Sequence, residues 1–115
     1  MRASDPLPRC LVCGKVCRPN ILMFGDWSWQ QDRARAQNQA FDRFLKQNSG
    51  RSIAVIEMGA GETIPTIRST SERLGRKLKK ATVIRINPRE PEILLPHISL
   101  PYGALEGLQR LDVLV

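Results

Sequence analysis

The chain has 115 residues, of which 42% are hydrophobic and 25% charged, a composition typical of one soluble domain with a single core. Eighteen Lys and Arg against eleven Asp and Glu give a formal net charge of +7, which favours anionic partners such as nucleotides, nucleic acids or phosphates. The sequence contains no run of 18 apolar residues, and its first residues lack the apolar segment of a secretory signal. We therefore expect neither a membrane span nor export, but a cytoplasmic protein.

The first 20 residues contain all three cysteines and have no helical or strand period, which predicts a loop or a metal knuckle. Cys10-x2-Cys13 is the spacing with which two thiolates reach one tetrahedral Zn²⁺ from a tight turn, and Gly14 follows as such turns often require. This is half of a structural zinc site. Cys17 is a candidate third ligand and His97 a weaker one, while thiols without a metal remain the alternative.

From residue 21 the pattern changes to that of a sheet with helices. The short apolar run Asn20–Gly25 predicts a buried strand, and residues 30 to 47 predict an amphipathic helix that ends at Asn48-Ser49-Gly50. Residues 52 to 58 predict a strand covered on both faces, which runs into the glycine loop Gly59-Ala60-Gly61. This order places a glycine loop at the carboxyl end of a strand.

The remaining segments continue the alternation. A helix is predicted over about residues 64 to 80, followed by a strand over 81 to 87. The helix is predicted from residues that recur at intervals of three and four: Ile64, Ile67, Ser71, Leu74 and Leu78. A short strand at 98 to 100 and a helix over 104 to 111 complete the pattern. The order predicts an α/β fold with a parallel sheet of three to four strands, in which ligands bind at the carboxyl ends of the strands.

Several residues at these strand ends are candidate ligand contacts. The backbone N–H groups of the glycine loop could approach an anion at the start of a helix, although a plain tight turn is the alternative. Asn87 could contact a ribose or an amide, or could simply form a turn. A group of cations ends the second helix, where they either complement the helix C-terminus or form a nucleic-acid patch: Arg73, Arg76, Lys77, Lys79 and Lys80.

Taken in order, these segments resemble the C-terminal half of a sirtuin, a member of the NAD-dependent protein lysine deacylases. The resemblance covers about residues 8 to 115. Cys10-x2-Cys13 followed by Arg18–Asp26 is similar to the family's second zinc pair running into Arg-Pro-Asp-Val-Val-x-Phe-Gly-Glu. Ile56–Gly61 falls where the family has its Gly-Thr-Ser loop, and Val83–Glu90 falls where it has Ile-Asn-x-Glu.

The resemblance implies a Rossmann-like NAD-binding sheet preceded by a zinc knuckle, with NAD and structural zinc as cofactors. Gly59, Ala60 and Gly61 would line the NAD phosphates and ribose, and Asn87 would contact the adenosine ribose. Ala60 and Gly61 lack the hydroxyls of the family's Thr and Ser, which removes two hydrogen bonds to the cofactor.

The same resemblance implies a structural metal and a peptide cleft. Two of the four zinc ligands would be Cys10 and Cys13. The floor and strand edge against which an acyl-lysine peptide lies would be formed by Ile21, Leu22, Phe24 and Gly25. The boundaries that follow are a zinc-knuckle segment over 1 to 20 and part of a Rossmann-like domain over 21 to 115.

The motifs of the family's first half, including its catalytic His, are not found in this sequence, and His97 lies in the wrong order to replace it. We therefore assign no catalytic residue and expect the C-terminal part of a sirtuin-like protein lysine deacetylase that is not active alone. Its expected partners are NAD or ADP-ribose, an acylated peptide, and an N-terminal half or a second copy of the chain. We expect no membrane partner.

Two alternatives remain from the residues themselves. One is a nucleotide-binding or scaffold module that keeps the cleft without turnover. The other is a basic zinc-knuckle module for nucleic acid, which ranks last because the positive charge follows helix ends rather than one stripe.

Overall fold

The computed structural model describes residues 4 to 113, which form an α/β fold with a small parallel sheet flanked by helices. The chain divides into two compact units, one up to Phe41 and one from Asp42 onward, so the boundary between these units falls inside the first helix. No helix in this part of the chain is long and apolar enough to cross a bilayer. The elements in chain order are α1 (Asp32–Gln47), β1 (Ile53–Met58), α2 (Thr66–Lys77), β2 (Ala81–Ile86), β3 (Ile98–Leu100) and α3 (Ala104–Asp112).

The first unit lacks the strand predicted over Asn20–Gly25. Residues 21 to 23 instead have no regular structure and residues 24 and 25 form a turn, with Gly25 at φ +71° and Phe24 97% exposed. Arg18 forms an ion pair with Asp26 across the segment. An apolar run becomes a buried strand only when neighbouring strands pair with it and its faces are covered, and neither occurs within the described residues.

The second unit contains the sheet, whose strands lie in the order β1-β2-β3 and are all parallel. Ile53 pairs with Ala81 at one end of the β1–β2 ladder and Met58 with Ile86 at the other. The helix, the three strands and the two later helices predicted over residues 30 to 111 are confirmed within a few residues at their ends.

The position of β1 corrects one expectation. β1 is an edge strand rather than one covered on both faces, and its side chains Ile56 and Met58 are each 47% exposed. The alternating burial of this strand shows that only the face toward α2 is packed. The central strand is β2, with Val83 and Ile86 fully buried.

The core lies between α2 and the sheet. Leu74, Leu78 and Ala81 form its buried centre, and further apolar side chains pack against them, namely Leu45, Ile53 and Val55. Ile64 and Ile67, which the apolar repeat placed on the inner face of this helix, are exposed. Ser71, Leu74 and Leu78 of the same repeat are buried as predicted. Arg68, which the repeat did not include, is also buried on the inner face of α2.

On the other face of the sheet, α3 approaches β2 closely. A Cβ atom at Gly107 would lie 2.5 Å from Cγ2 of Ile86, so a side chain at this helical position would collide with the strand. Glycine costs helix stability, but here it permits the close approach of helix and strand.

Candidate functional site

The carboxyl ends of β1 and β2 bring the glycine loop and Asn87 together. Met58 pairs with Ile86 at the end of the ladder, so Gly59 and Asn87 are the next residues on adjacent strands. Gly59 adopts φ +67°, a conformation that favours glycine, and its N–H donates to the Ile86 carbonyl at 2.9 Å. The side-chain Nδ2 of Asn87 donates to the Ala60 carbonyl at 3.1 Å. The two strand ends predicted to share a ligand are therefore directly hydrogen-bonded.

Asn87 is 5% exposed and is used chiefly to organise the loops. Its Oδ1 accepts the backbone N–H groups of Arg89 at 2.9 Å and Glu90 at 3.1 Å. Three of the four hydrogen-bonding capacities of a carboxamide are thus used within the chain. The turn-forming role considered for Asn87 is realised, and one Nδ2 hydrogen is left to contact anything else.

Glu90 brings a partly exposed carboxylate to the glycine loop. Its Oε2 accepts the backbone N–H of Glu62 at 2.9 Å, and a Cβ built on Gly61 would meet the same oxygen at an ordinary 3.5 Å. The packing of the chain itself therefore does not require glycine at position 61. A carboxylate at this place can accept hydrogen bonds from the hydroxyls of a bound ligand.

Arg68, on the inner face of α2, joins the glycine loop to the segment after Asn87. Its guanidinium donates to the carbonyls of Ala60 at 3.1 Å, Glu90 at 2.9 Å and Glu92 at 3.3 Å. It also lies 3.5 Å from the Glu62 carboxylate and 3.7 Å from that of Glu90. The five donors of an arginine suit such bridging, because loop carbonyls would otherwise be left without partners.

Below the loops, a buried ion pair joins the two strands. Arg85 Nε lies 2.5 Å from Glu57 Oε1, the side chains are each 1% exposed, and the Ser71 hydroxyl donates to the same carboxylate. Burial raises the pKa of Glu57, but the hydrogen bonds from Arg85 and Ser71 and the charge of Arg85 outweigh it, so this pKa lies below its usual value. Arg85 also donates to the carbonyl of Glu92 at 2.6 Å, which holds the segment after Asn87 against the sheet.

Neither Arg68 nor the Glu57–Arg85 pair was predicted from the sequence. A signal for the pair is present, since one acid and one base interrupt two otherwise apolar strands at positions that are directly opposite in register. The signal for Arg68 is its spacing of three from Ser71, which puts it next to a residue of the buried face.

Cys10 and Cys13 lie at a turn over residues 11 to 13. Arg9 and Val16 form an antiparallel bridge. Gly14 adopts φ +71°, and its N–H donates to the Cys10 carbonyl at 2.8 Å. Backbone N–H groups of Cys13 and Val12 hydrogen-bond the Cys10 sulfur and lower the pKa of its thiol. Two thiols separated by two residues are half of the ligand set that a tetrahedral zinc site needs. Among the described residues, no group of three His, Cys, Asp or Glu side chains is placed to hold a metal ion.

The four residues implied for peptide binding lie in the first unit. Leu22, Phe24 and Gly25 line a surface pocket of about 440 Å³, together with Met23, Asp26 and Trp27. Ile21 is also largely exposed, and its N–H donates to the Pro19 carbonyl at 2.8 Å.

His97 lies away from the strand ends discussed above, just before β3. Its Nδ1 accepts the N–H of Val83 at 3.3 Å, where the β3 ladder has not yet begun, and its ring packs on Gly75 of α2. This histidine is part of the packing between helix and sheet. Comparisons of the chain with protein-family models, with curated proteins and with solved structures give no match.

Proposed function

We propose that this chain is the C-terminal part of a sirtuin-like, NAD-dependent protein lysine deacylase, and that its Rossmann-like strand ends bind the ADP-ribose portion of NAD. The observation that carries the proposal is the joining of the glycine loop to the Asn87–Glu90 turn at the ends of two adjacent parallel strands, through Asn87 Nδ2 to Ala60 and Glu62 N–H to Glu90. NAD supplies the ADP-ribose that accepts the acyl group when it is bound.

The charges at the loop favour contacts to ribose over contacts to phosphate. Two carboxylates, Glu62 and Glu90, face one guanidinium, Arg68, which is already engaged with three carbonyls. Carboxylates repel phosphate but accept hydrogen bonds from the vicinal hydroxyls of a ribose. The remaining Nδ2 hydrogen of Asn87 and the open surface at Gly61 complete a small polar site of this kind.

The cysteine knuckle is proposed as half of a structural zinc site held by Cys10 and Cys13. Thiolates bind zinc in deprotonated form, and the N–H groups that lower the pKa of Cys10 favour that form. The exposed segment containing Ile21, Leu22, Phe24 and Gly25 is proposed as part of the acyl-peptide surface, because it offers exposed apolar side chains.

Calorimetric titration of ADP-ribose into the full chain tests the nucleotide site. We expect weak saturable binding, a loss of about tenfold in affinity in Glu90→Gln, and no change in Glu106→Gln, an exposed glutamate on α3. Glu90→Gln keeps an oxygen for the Glu62 N–H and removes the charge that a ribose hydroxyl would meet.

A gain of affinity is the complementary test. Ala60→Thr combined with Gly61→Ser supplies two hydroxyls at the loop, and position 61 has room for a Cβ atom. We expect ADP-ribose to bind about tenfold more tightly in this variant, from two added hydrogen bonds. If neither the original chain nor this variant binds ADP-ribose at millimolar concentration, the nucleotide site is refuted.

A further inference from the structure

The edge of the sheet where the strands begin, opposite the glycine loop, gathers positive charge. β1 and β2 are parallel, and the Ile53 N–H donates to the Lys80 carbonyl at 3.0 Å, so the residues that precede the two strands are neighbours. α2 ends at Lys77, directly before β2. Five exposed cations therefore meet here, and we name them the basic edge: Arg51, Arg76, Lys77, Lys79 and Lys80.

Little negative charge balances the basic edge. Within residues 4 to 113, Arg76 is the only one of the five that forms an ion pair, at 3.8 Å from Glu72. Glu72 is at the same time bound to Arg85 at 3.0 Å. Glu92 is the other acid nearby. Four of these cations lie between Arg76 and Lys80, and the pairing of β1 with β2 brings Arg51 to the same edge.

An exposed apolar tip lies beside the basic edge. Leu94 is 85% exposed and Leu95 is 91% exposed, in the loop that leads to β3. These two leucines line one open pocket of about 570 Å³ together with Arg76 and Lys79 of the basic edge. Apolar side chains that project next to unpaired cations are the combination with which proteins bind at an anionic membrane surface.

We propose that the basic edge and the Leu94–Leu95 tip form a surface that binds anionic lipid bilayers, with the cations at the headgroups and the leucines inserted among the acyl chains. A nucleic acid would satisfy the cations but leave both leucines in water, and no Phe, Tyr or Trp lines the pocket to stack on bases. The expectation of no membrane partner rested on the lack of an apolar run, which surface binding does not require.

Sedimentation of the full chain with vesicles tests this proposal. We expect binding to vesicles of phosphatidylglycerol and phosphatidylcholine and little to phosphatidylcholine alone, since each exposed Lys or Arg is worth roughly fivefold in partitioning to an anionic surface. Lys79→Glu with Lys80→Glu should weaken binding by more than about 25-fold. Arg33→Glu with Arg35→Glu, on the exposed start of α1, is the matched charge control and should lose less.

A second variant distinguishes binding to lipid from binding to other polyanions. Leu94→Ser with Leu95→Ser should weaken vesicle binding by roughly tenfold or more and leave any binding to duplex DNA unchanged, whereas Leu105→Ser, an exposed leucine of α3, should change neither. The proposal is overturned if the leucine variant binds vesicles as well as the original chain. Equal partitioning to both vesicle types, or tight binding to DNA with none to vesicles, also overturns it.

Discussion

At the residue scale, the Glu57–Arg85 pair connects the core to the candidate site, because Arg85 also holds the Glu92 carbonyl after the Asn87 turn. Removing one member of a buried pair leaves the other charge without compensation. We expect Glu57→Gln to lower the free energy of unfolding by about 3 kcal/mol, measured by urea denaturation. Replacing both residues with Met should recover most of that loss, since a buried pair adds little beyond apolar packing. A single variant as stable as the original would contradict this account.

Because the pKa of Glu57 is lowered in the folded chain, we expect the stability to depend on pH. The folded pKa of Glu57 lies below the value of about 4.3 expected in the unfolded chain, so the unfolded state takes up a proton first as the pH falls. Its contribution is therefore complete above about pH 5 and is lost as the pH falls through the lowered folded pKa. Urea midpoints between pH 6 and 3 should fall more steeply in the original chain than in Glu57→Gln. The pKa of Asp26 is also lowered, chiefly by its hydrogen bond with Arg18. Asp26 is present in both the original chain and Glu57→Gln, so its effect on stability cancels when the two pH profiles are compared.

We expect the three Cys→Ser variants to differ in their affinity for zinc. The Cys10 sulfur accepts hydrogen bonds from the backbone N–H groups of Cys13 and Val12. The Cys17 N–H, by contrast, donates to the Pro8 carbonyl. We expect Cys10→Ser or Cys13→Ser to remove most of the zinc affinity and Cys17→Ser to retain it, measured by competition with a chromophoric chelator. Equal losses in all three variants would show that Cys17 is also a ligand.

At the element scale, substitution of Gly75 in α2 sets helix propensity against packing, because the two have opposite effects on stability at this position. Gly to Ala within a helix usually stabilises it by up to about 1 kcal/mol. Here the added Cβ would lie 2.6 Å from His97 Nε2 and 2.9 Å from Val83 Cγ2. We therefore expect Gly75→Ala to lower the melting temperature, at a cost of about 1–3 kcal/mol from overpacking. Ser69→Ala, on the exposed face of the same helix, is the control and should leave the melting temperature unchanged or slightly raised.

The elements also show what periodicity can predict. The strands over 53–58 and 81–86 were predictable because β-branched runs between glycine or proline boundaries have few alternatives. The apolar run at Asn20–Gly25 has the same local character, but it forms irregular structure and a turn, because strand formation depends on a pairing partner that a local pattern does not encode. Ile64 and Ile67 were misplaced for a related reason: buried Glu57 and Arg85 require the polar residues of α2 to face the sheet.

At the scale of the whole molecule, the candidate site was predictable only in outline. Parallel strands bring their carboxyl ends to one edge, so the meeting of the glycine loop with Asn87 followed from the order of the elements. The roles of Arg68 and Glu90 depend on contacts across more than 20 residues of chain, and no local pattern contains them. Most of the basic edge was predictable as the group of cations after the second helix, and the fold adds Arg51 from the segment before β1.

β1 has an unpaired edge within the described residues and an exposed face. β1 is an edge strand whose outer backbone groups have no paired strand within the described residues, and Ile56 and Met58 expose nearly half of their surface on the side away from α2. Such an edge favours pairing between copies of a chain. We expect the mass measured by sedimentation or light scattering to rise with protein concentration, and Ile56→Lys to shift it toward the monomer, because a charge on this face opposes burial. Ile67→Lys, at a more exposed isoleucine on α2, adds the same charge and should leave the mass unchanged. A monomer at every concentration would mean that the charge of +7 keeps the copies apart despite the open edge.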